Sequence, residues 1–200
     1  MLYSKFFKRL FDFILALLAF PFLCFIVLIL SPFIYFSDKG SIFYNSRRIG
    51  QNGRQFKMFK FRTMVVNAPD IRLNDGSTFN SVDDPRLTKI GSFLRKTSLD
   101  ELPQIINILI GDMSFIGPRP DPLDWLDKYT EEEKIFLNVK PGISGYNQAY
   151  FRNSADSDTK LKNDVHYANH ISFMLDIKIL LKTLRTVLLH ENLYVEESRK

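Results

Sequence analysis

Two hundred residues fit one domain with room for an appendage, and 46% apolar residues supply a core and exclude a disordered chain. Lys and Arg number 27 against 22 Asp and Glu, a net charge of +5, and no acid occurs from Lys39 to Pro69. That basic run favours anionic partners such as lipid headgroups, nucleotides or nucleic acid. The single Cys24 excludes an internal disulfide, and His166, His170 and His190 offer no zinc-ligand spacing.

The first predicted element is apolar. Phe13 to Ser37 is a run of 25 residues without a charge, preceded by Lys5, Lys8 and Arg9. At about 1.5 Å per residue it can cross a hydrocarbon core of about 30 Å as a helix. No small-residue cleavage site follows, which argues against a signal peptide. Two features argue against a simple span. Basic residues flank both ends, and the positive-inside rule keeps basic flanks in the cytoplasm. Pro21 and Pro32 interrupt the run, and Ser31 stands ready to satisfy carbonyls that Pro32 leaves free. The residues alone leave a spanning helix and a re-entrant hairpin both open.

SIFYNSRRIG and RQFKMFKFRTM alternate apolar and basic residues, which predicts two extended segments joined by a turn at Gln51-Asn52-Gly53. Residues 67–86 are polar and turn-rich and predict a surface loop. LTKIGSFLRKTS predicts a short amphipathic helix, Ile105 to Ile110 an apolar segment ending at Gly111, and Trp125 to Val139 another helix. GDMSFIGPRPDP and KPGISGYNQAYFRN predict loops, the second with strand-like ends. Phe173 to His190 predicts an amphipathic helix with a basic stripe of Lys178, Lys182 and Arg185, suited either to a core or to an anionic membrane surface. The fold class is α/β, mainly α with short strands.

SLDELPQ, residues 98–104, carries the chemistry question. Ser98 and Glu101 have the spacing of a capping box. Pro103 would then fall inside the helix, where it loses a bond, so a helix starting at Asp100 is the better expectation. Asp100 would sit at a helix N-terminus, where anions, phosphate included, are favoured. Arg86, Lys89, Arg95, Lys96 and Arg119 surround the pair in sequence. A carboxylate among arginines can attack phosphorus to form an acyl phosphate, the arginines can hold phosphate oxygens, and a second carboxylate can hold Mg²⁺. Capping and surface ion pairing with Asp83, Asp84 and Asp112 explain the same residues, so catalysis and structure both stay open. A carboxylate-pair glycosidase is disfavoured, because its acids must flank a sugar ring about 5–9 Å apart. Nothing supplies base-reading geometry for nucleic acid.

KRLFDFILALL, KMFKFRTM, DPRLTKIGSFLRKTSLDELPQIINILIGDMSFIGPRP and KPGISGYNQ, in this order, resemble the bacterial sugar transferases, the monotopic phosphoglycosyl transferases that prime glycan assembly on polyprenol phosphate. The resemblance covers nearly the whole chain and implies its minimal catalytic form. It implies a UDP-sugar donor, a polyprenyl (undecaprenyl) phosphate acceptor, and Mg²⁺ as cofactor. Asp100 matches the nucleophile of the family's Asp-Glu dyad, attacking the sugar-side phosphorus and expelling UMP, and Glu101 matches the metal-associated partner. Lys60, Arg62, Arg86, Arg95 and Arg119 fall on family positions with a phosphate-binding role. Asp176, Gln148 and Arg152 are further candidates, the last two in a loop facing nucleotide or sugar. The resemblance divides the chain into a re-entrant helix-break-helix, 1–38, with the break at Pro21 or Ser31-Pro32, and a cytoplasmic catalytic domain, 39–200, floated by amphipathic helices. It places the protein on the cytoplasmic face of a bacterial inner membrane, with lipids and downstream glycosyltransferases as partners and no nucleic acid. The family's break is usually one Ser-Pro near mid-run; Pro21 lacks the serine and Ser31-Pro32 comes late.

Overall fold

The computed structural model describes residues 2–72, 79, 81, 84–151 and 154–189. Its first long element is α1, Lys8–Asp38, preceded by a π-helical turn at Tyr3–Phe7. Ala16, Leu23, Leu30 and Ile34 of α1 are buried. Their spacings of seven and four put them on one helical stripe. The other faces carry exposed Leu18, Phe22, Phe25, Leu28, Phe33 and Phe36.

The basic and apolar alternation of residues 43–61 forms a hairpin, as its period of two predicts. Strand β1, Phe43–Ile49, pairs antiparallel with β2, Gln55–Phe61, across a turn at Gln51–Gly53. Asn52 and Gly53 both take positive φ there, a conformation that Asn and Gly tolerate best. Helix α2, Lys89–Thr97, begins at Thr88, whose hydroxyl accepts from Gly91 N–H, and ends at Ser98 in the left-handed region. A 3₁₀ turn, Leu99–Glu101, leads into α3, Gln104–Ile110.

Two core clusters join these elements to α1. Ala16 and Leu23 pack with Phe56 and Met58 of β2 and with Ile105 and Ile108 of α3. Leu30 and Ile34 pack with Phe61 and Leu94, with Ile90 and Leu99 at the edge. The hairpin, α2 and α3 therefore lie along the helix instead of hanging from its end. Beyond them, β3, Ser114–Ile116, pairs in parallel with β4, Gly142–Ser144. Helices α4, Tyr146–Tyr150, α5, Ser157–His170, and α6, Phe173–Leu188, complete the fold. The fold is thus mainly helical with short strands, as expected.

Four local expectations are corrected. The helix foreseen over Trp125–Val139 is two 3₁₀ segments, Leu123–Lys128 and Glu133–Asn138. Leu123, Trp125, Phe136 and Leu137 meet Ile49 and Leu161 as separate anchors, so packing overrides a continuous helix. The loop foreseen from Lys140 has β4 at its strand-like start, as expected, but also the short helix α4. The helix expected to begin at Asp100 begins at Gln104, with Pro103 as its N-cap residue. Most consequentially, the helix-break-helix expected at Pro21 or Ser31-Pro32 is one uninterrupted helix. Pro32 frees the carbonyl of Leu28, but the Ser31 hydroxyl donates instead to Val27 O, 2.5 Å. The buried stripe on either side of each proline holds the helix in register despite the lost bonds.

Both ends of α1 are tied to the same body. At its start, Lys8 Nζ donates to Asp176 Oδ2 of α6, 2.6 Å. Arg9 donates to the carbonyls of Ile108 and Leu109, capping the C-terminus of α3. Asp12 accepts from Phe115 N–H, 3.1 Å. At its end, Asp38 pairs with Arg62, 2.6 Å.

Candidate active site

Asp100 and Glu101 lie in the turn between α2 and α3. Ser98 ends α2 in the left-handed conformation and makes no side-chain cap, so the capping-box explanation of the pair fails. Lys60 projects from β2 and Arg119 from the loop after β3, and they converge on Glu101. Lys60 Nζ and Arg119 NH2 both donate to Glu101 Oε1 at 2.7 Å, and Arg119 NH1 reaches Oε2 at 3.3 Å. Asn107 sets the position of this stretch of β2. Its side chain, fully buried on α3, accepts from Phe59 N–H and donates to Lys57 O.

The two carboxylates have opposite electrostatics. Burial pushes Asp100 up to about 6; Lys60, Arg95 and Arg119 pull it down, while Glu101 pushes the same way as burial. Burial also pushes Glu101 up, but Arg119 and Lys60 outweigh it and hold its carboxyl well below the usual range. Burial lowers Lys60 against the pull of Glu101, and Glu101 raises Arg119. Asp100 makes no hydrogen bond among the described residues. The pair is therefore divided into one carboxylate locked by cations and one left open beside them.

The remaining expected residues separate into groups. Arg95 acts on Asp100 through charge, its Nε donating to Thr63 Oγ1, 3.1 Å. Arg62 and Arg86 do not face the dyad as free phosphate ligands. Arg62 is buried, and it bonds Asp38 and the carbonyls of Ile34, Ser41 and Met64. Arg86 is buried, forks onto Asp84 at 2.7 and 2.9 Å, and donates to Pro69 O and Phe79 O. Both saturate their guanidinium groups internally, the first fastening α1 and the second tying Pro69 and Phe79 to Asp84. Asp176 belongs to the α1 clamp, accepting from Lys8, Tyr3 and Tyr167. Gln148 sits on α4 with a buried Oε1 that has no hydrogen-bond partner among the described residues. Arg152 lies outside the described residues. One cation was missed: Arg48 of β1 feels the charge of Arg119, and burial lowers its pKa. Its place in the basic strand was visible, but the pairing that brings β1 beside Arg119 was not. Asn107 carried a signal, a lone amide inside the apolar run IINILI.

The two carboxylates expected to hold Mg²⁺ differ in how far they are already engaged. Glu101 is the more occupied of the two expected ligands, its Oε1 accepting from Lys60 and Arg119 at 2.7 Å and its Oε2 from Arg119 alone at 3.3 Å, which leaves a lone pair free. Asp100 is the open one, and it fits. Among the described residues no group of three or more His, Cys, Asp or Glu could hold a metal. Mg²⁺ commonly takes one or two carboxylates and completes its octahedron with water and substrate phosphates.

The bacterial sugar transferase family matches residues 3–190. The chain belongs to this family. It is 41% identical over 198 residues to the exopolysaccharide production protein ExoY of Sinorhizobium fredii, covering 94% of this chain and 88% of that protein. It is 36% identical to the undecaprenyl-phosphate galactose phosphotransferase of Salmonella typhimurium, covering 96% of this chain and 42% of the relative. It is 35% identical to an Aeromonas hydrophila UDP-N-acetylgalactosamine-undecaprenyl-phosphate N-acetylgalactosaminephosphotransferase, covering 92% and 44% respectively. The chain thus spans most of the first relative and less than half of the other two. This sugar transferase carries its acidic pair and three of the expected cations in one place.

Proposed function

We propose that this protein transfers a sugar phosphate from a UDP-sugar to polyprenyl phosphate, undecaprenyl phosphate in the form its relatives' names describe. The carrying observation is the asymmetric dyad, Asp100 open and raised, Glu101 locked by Lys60 and Arg119, in a chain of the sugar transferase family. In the first step an Asp100 oxygen attacks the sugar-side phosphorus of the donor. The bond from that phosphorus to the bridging oxygen breaks, and UMP leaves with the electron pair. In the second step an ionised oxygen of the lipid phosphate attacks the same phosphorus. The acyl phosphate bond breaks, and the Asp100 carboxylate is restored with the polyprenyl-diphospho-sugar as product. The acceptor phosphate is already anionic, so the second step needs no strong base.

Arg119 and Arg95 suit the developing phosphate charge, and guanidinium forks match phosphate oxygens. Lys60 and Arg119 also hold Glu101 in place, which keeps a cationic wall beside the nucleophile. Bound Mg²⁺, held by Asp100 and the donor phosphates, would neutralise charge on the diphosphate. Membrane association follows from α1, whose exposed face is apolar for its whole length and which is long enough to cross a membrane. Both ends of α1 are tied to one body, which supports insertion into a single leaflet, on the cytoplasmic face where UDP-sugars occur.

Asp100→Asn tests the chemistry. Wild-type protein given donor alone should gain a phosphosugar mass, and Asp100→Asn should gain none and release no UMP. Near-normal turnover by Asp100→Asn would overturn the covalent route. EDTA should abolish wild-type UMP release and Mg²⁺ should restore it, and full activity in metal-free buffer would remove the metal.

A further inference from the structure

A groove of about 540 Å³ opens between the C-terminal half of α1 and α2, lined by Pro32, Phe33 and Phe36 on one side and Lys89, Ile90 and Phe93 on the other. Its walls are apolar aromatic rings left in the open: Phe33 is 61% exposed, Phe36 75% and Phe93 50%. Exposed rings in a concave patch point to a ligand that is itself apolar.

We propose that this groove holds isoprene units of the lipid acceptor beyond the two nearest its phosphate, a subsite for its tail that rests on the function proposed above. Three observations select this occupant. First, the groove is continuous with the apolar outer face of α1, so a chain entering it never leaves an apolar surface. Second, it leads to the dyad. Phe93 and Thr97 share a face of α2 one turn apart, and the turn that carries Asp100, Leu99–Glu101, follows directly after Ser98. Leu99, adjacent to the nucleophile, packs in the same cluster as Leu30, Ile34 and Ile90 beneath the groove. Third, the charges fit an anionic head at one end of an apolar tail. Lys60, Arg95 and Arg119 stand at the Asp100 end, while α2 between them and Lys89 presents Ile90 and Phe93. Lys89 lines the far end of the groove and is exposed.

The test compares two acceptors on the full-length protein in nanodiscs of phosphatidylethanolamine and phosphatidylglycerol. Undecaprenyl phosphate reaches the groove; geranyl phosphate is too short to fill it. Phe93→Ser and Phe33→Ser, each at an exposed position, should raise KM for undecaprenyl phosphate about tenfold. KM for geranyl phosphate should stay where it is, and Phe93→Leu should restore the long acceptor. Equal effects on both acceptors, or none on either, overturn the subsite. A photoreactive group on the isoprene units beyond the second should label peptides spanning 32–36 and 89–93, and labelling elsewhere overturns it independently of kinetics. Wild-type protein that transfers to neither acceptor overturns the function itself, a result distinct from normal transfer with unaffected variants.

Discussion

Asp100 at the residue scale trades stability for a reactive position. Its carboxyl is pushed up to about 6, chiefly by burial. A raised acid contributes stability that is complete below its ordinary value and is lost as pH rises through about 6. At pH 8 the ionised Asp100 therefore destabilises the fold. Asp100→Asn should raise the thermal midpoint at pH 8 while removing transfer, and an unchanged or lowered midpoint would contradict the assigned environment. The same value sets the activity profile. Adduct formation from donor should fall about tenfold per pH unit below about 6, because only the carboxylate attacks. In Glu101→Gln the neighbouring negative charge is gone, so the acid limb should move to lower pH. A limb that stays put or moves up would show that Glu101 does not act on Asp100 through charge. The neighbouring residues separate by partner. Lys60 and Arg119 were legible as cations, yet their grip on Glu101 depends on a strand and a loop that sequence distance hides. Arg62 and Arg86, equally basic in sequence, are consumed by carbonyls and carboxylates that only folding brings to them.

Among the elements, α2 has the tightest seat. Thr88 N–H donates to Thr63 O, and a Cβ on Gly91 would lie 1.8 Å from that same oxygen. The backbone of the helix therefore touches the backbone after β2, and only glycine permits it. Gly91→Ala should push α2 away, cost about 1–3 kcal/mol in thermal unfolding, and lower activity by displacing Arg95 and the dyad turn. Wild-type stability and turnover in Gly91→Ala would show that the contact is dispensable. The amphipathic pattern of LTKIGSFLRKTS announced this helix, and the alternation of residues 43–61 announced the hairpin. Trp125–Val139 misled because its apolar residues reach one cluster from two 3₁₀ segments with a turn between them. The start of α3 misled because Ser98 in the left-handed region separates α2 from a 3₁₀ turn, a conformation that no spacing in SLDELPQ reveals.

For the whole molecule, the decisive feature is that α1 lies along its own domain. Its buried stripe runs from Ala16 to Ile34, and its ends are pinned by Asp176 and Arg62. Around its start, Phe11 packs on Phe173 of α6 at 6.0 Å, which joins the exposed apolar face of α1 to Met174, Leu181 and Leu184. Two helices thus present exposed apolar residues, as the proposed insertion into one side of a bilayer requires. Single cysteines at Ser4 and at Ser46, in a Cys24→Ser background, should both be shielded from a membrane-impermeant maleimide in intact spheroplasts and both react after lysis. Labelling of the Ser4 site in intact cells would establish a span and leave the chemistry at Asp100 untouched.

The apolar segment, the hairpin, the amphipathic α2 and the acidic pair among cations are legible before folding, because they are written in local period and in neighbouring residue types. Long-range packing decided the rest. Whether the prolines break α1 depends on the Ala16–Ile34 stripe finding β2, α2 and α3 as partners. Which arginines stay near the dyad depends on which carbonyls and carboxylates reach the others first. The division of Asp100 from Glu101 depends on Lys60 and Arg119 arriving from residues 41 and 18 positions away in the chain. Electrostatic roles are set by distance in space, and two adjacent carboxylates with equal sequence surroundings become unequal only when the fold brings cations to one of them.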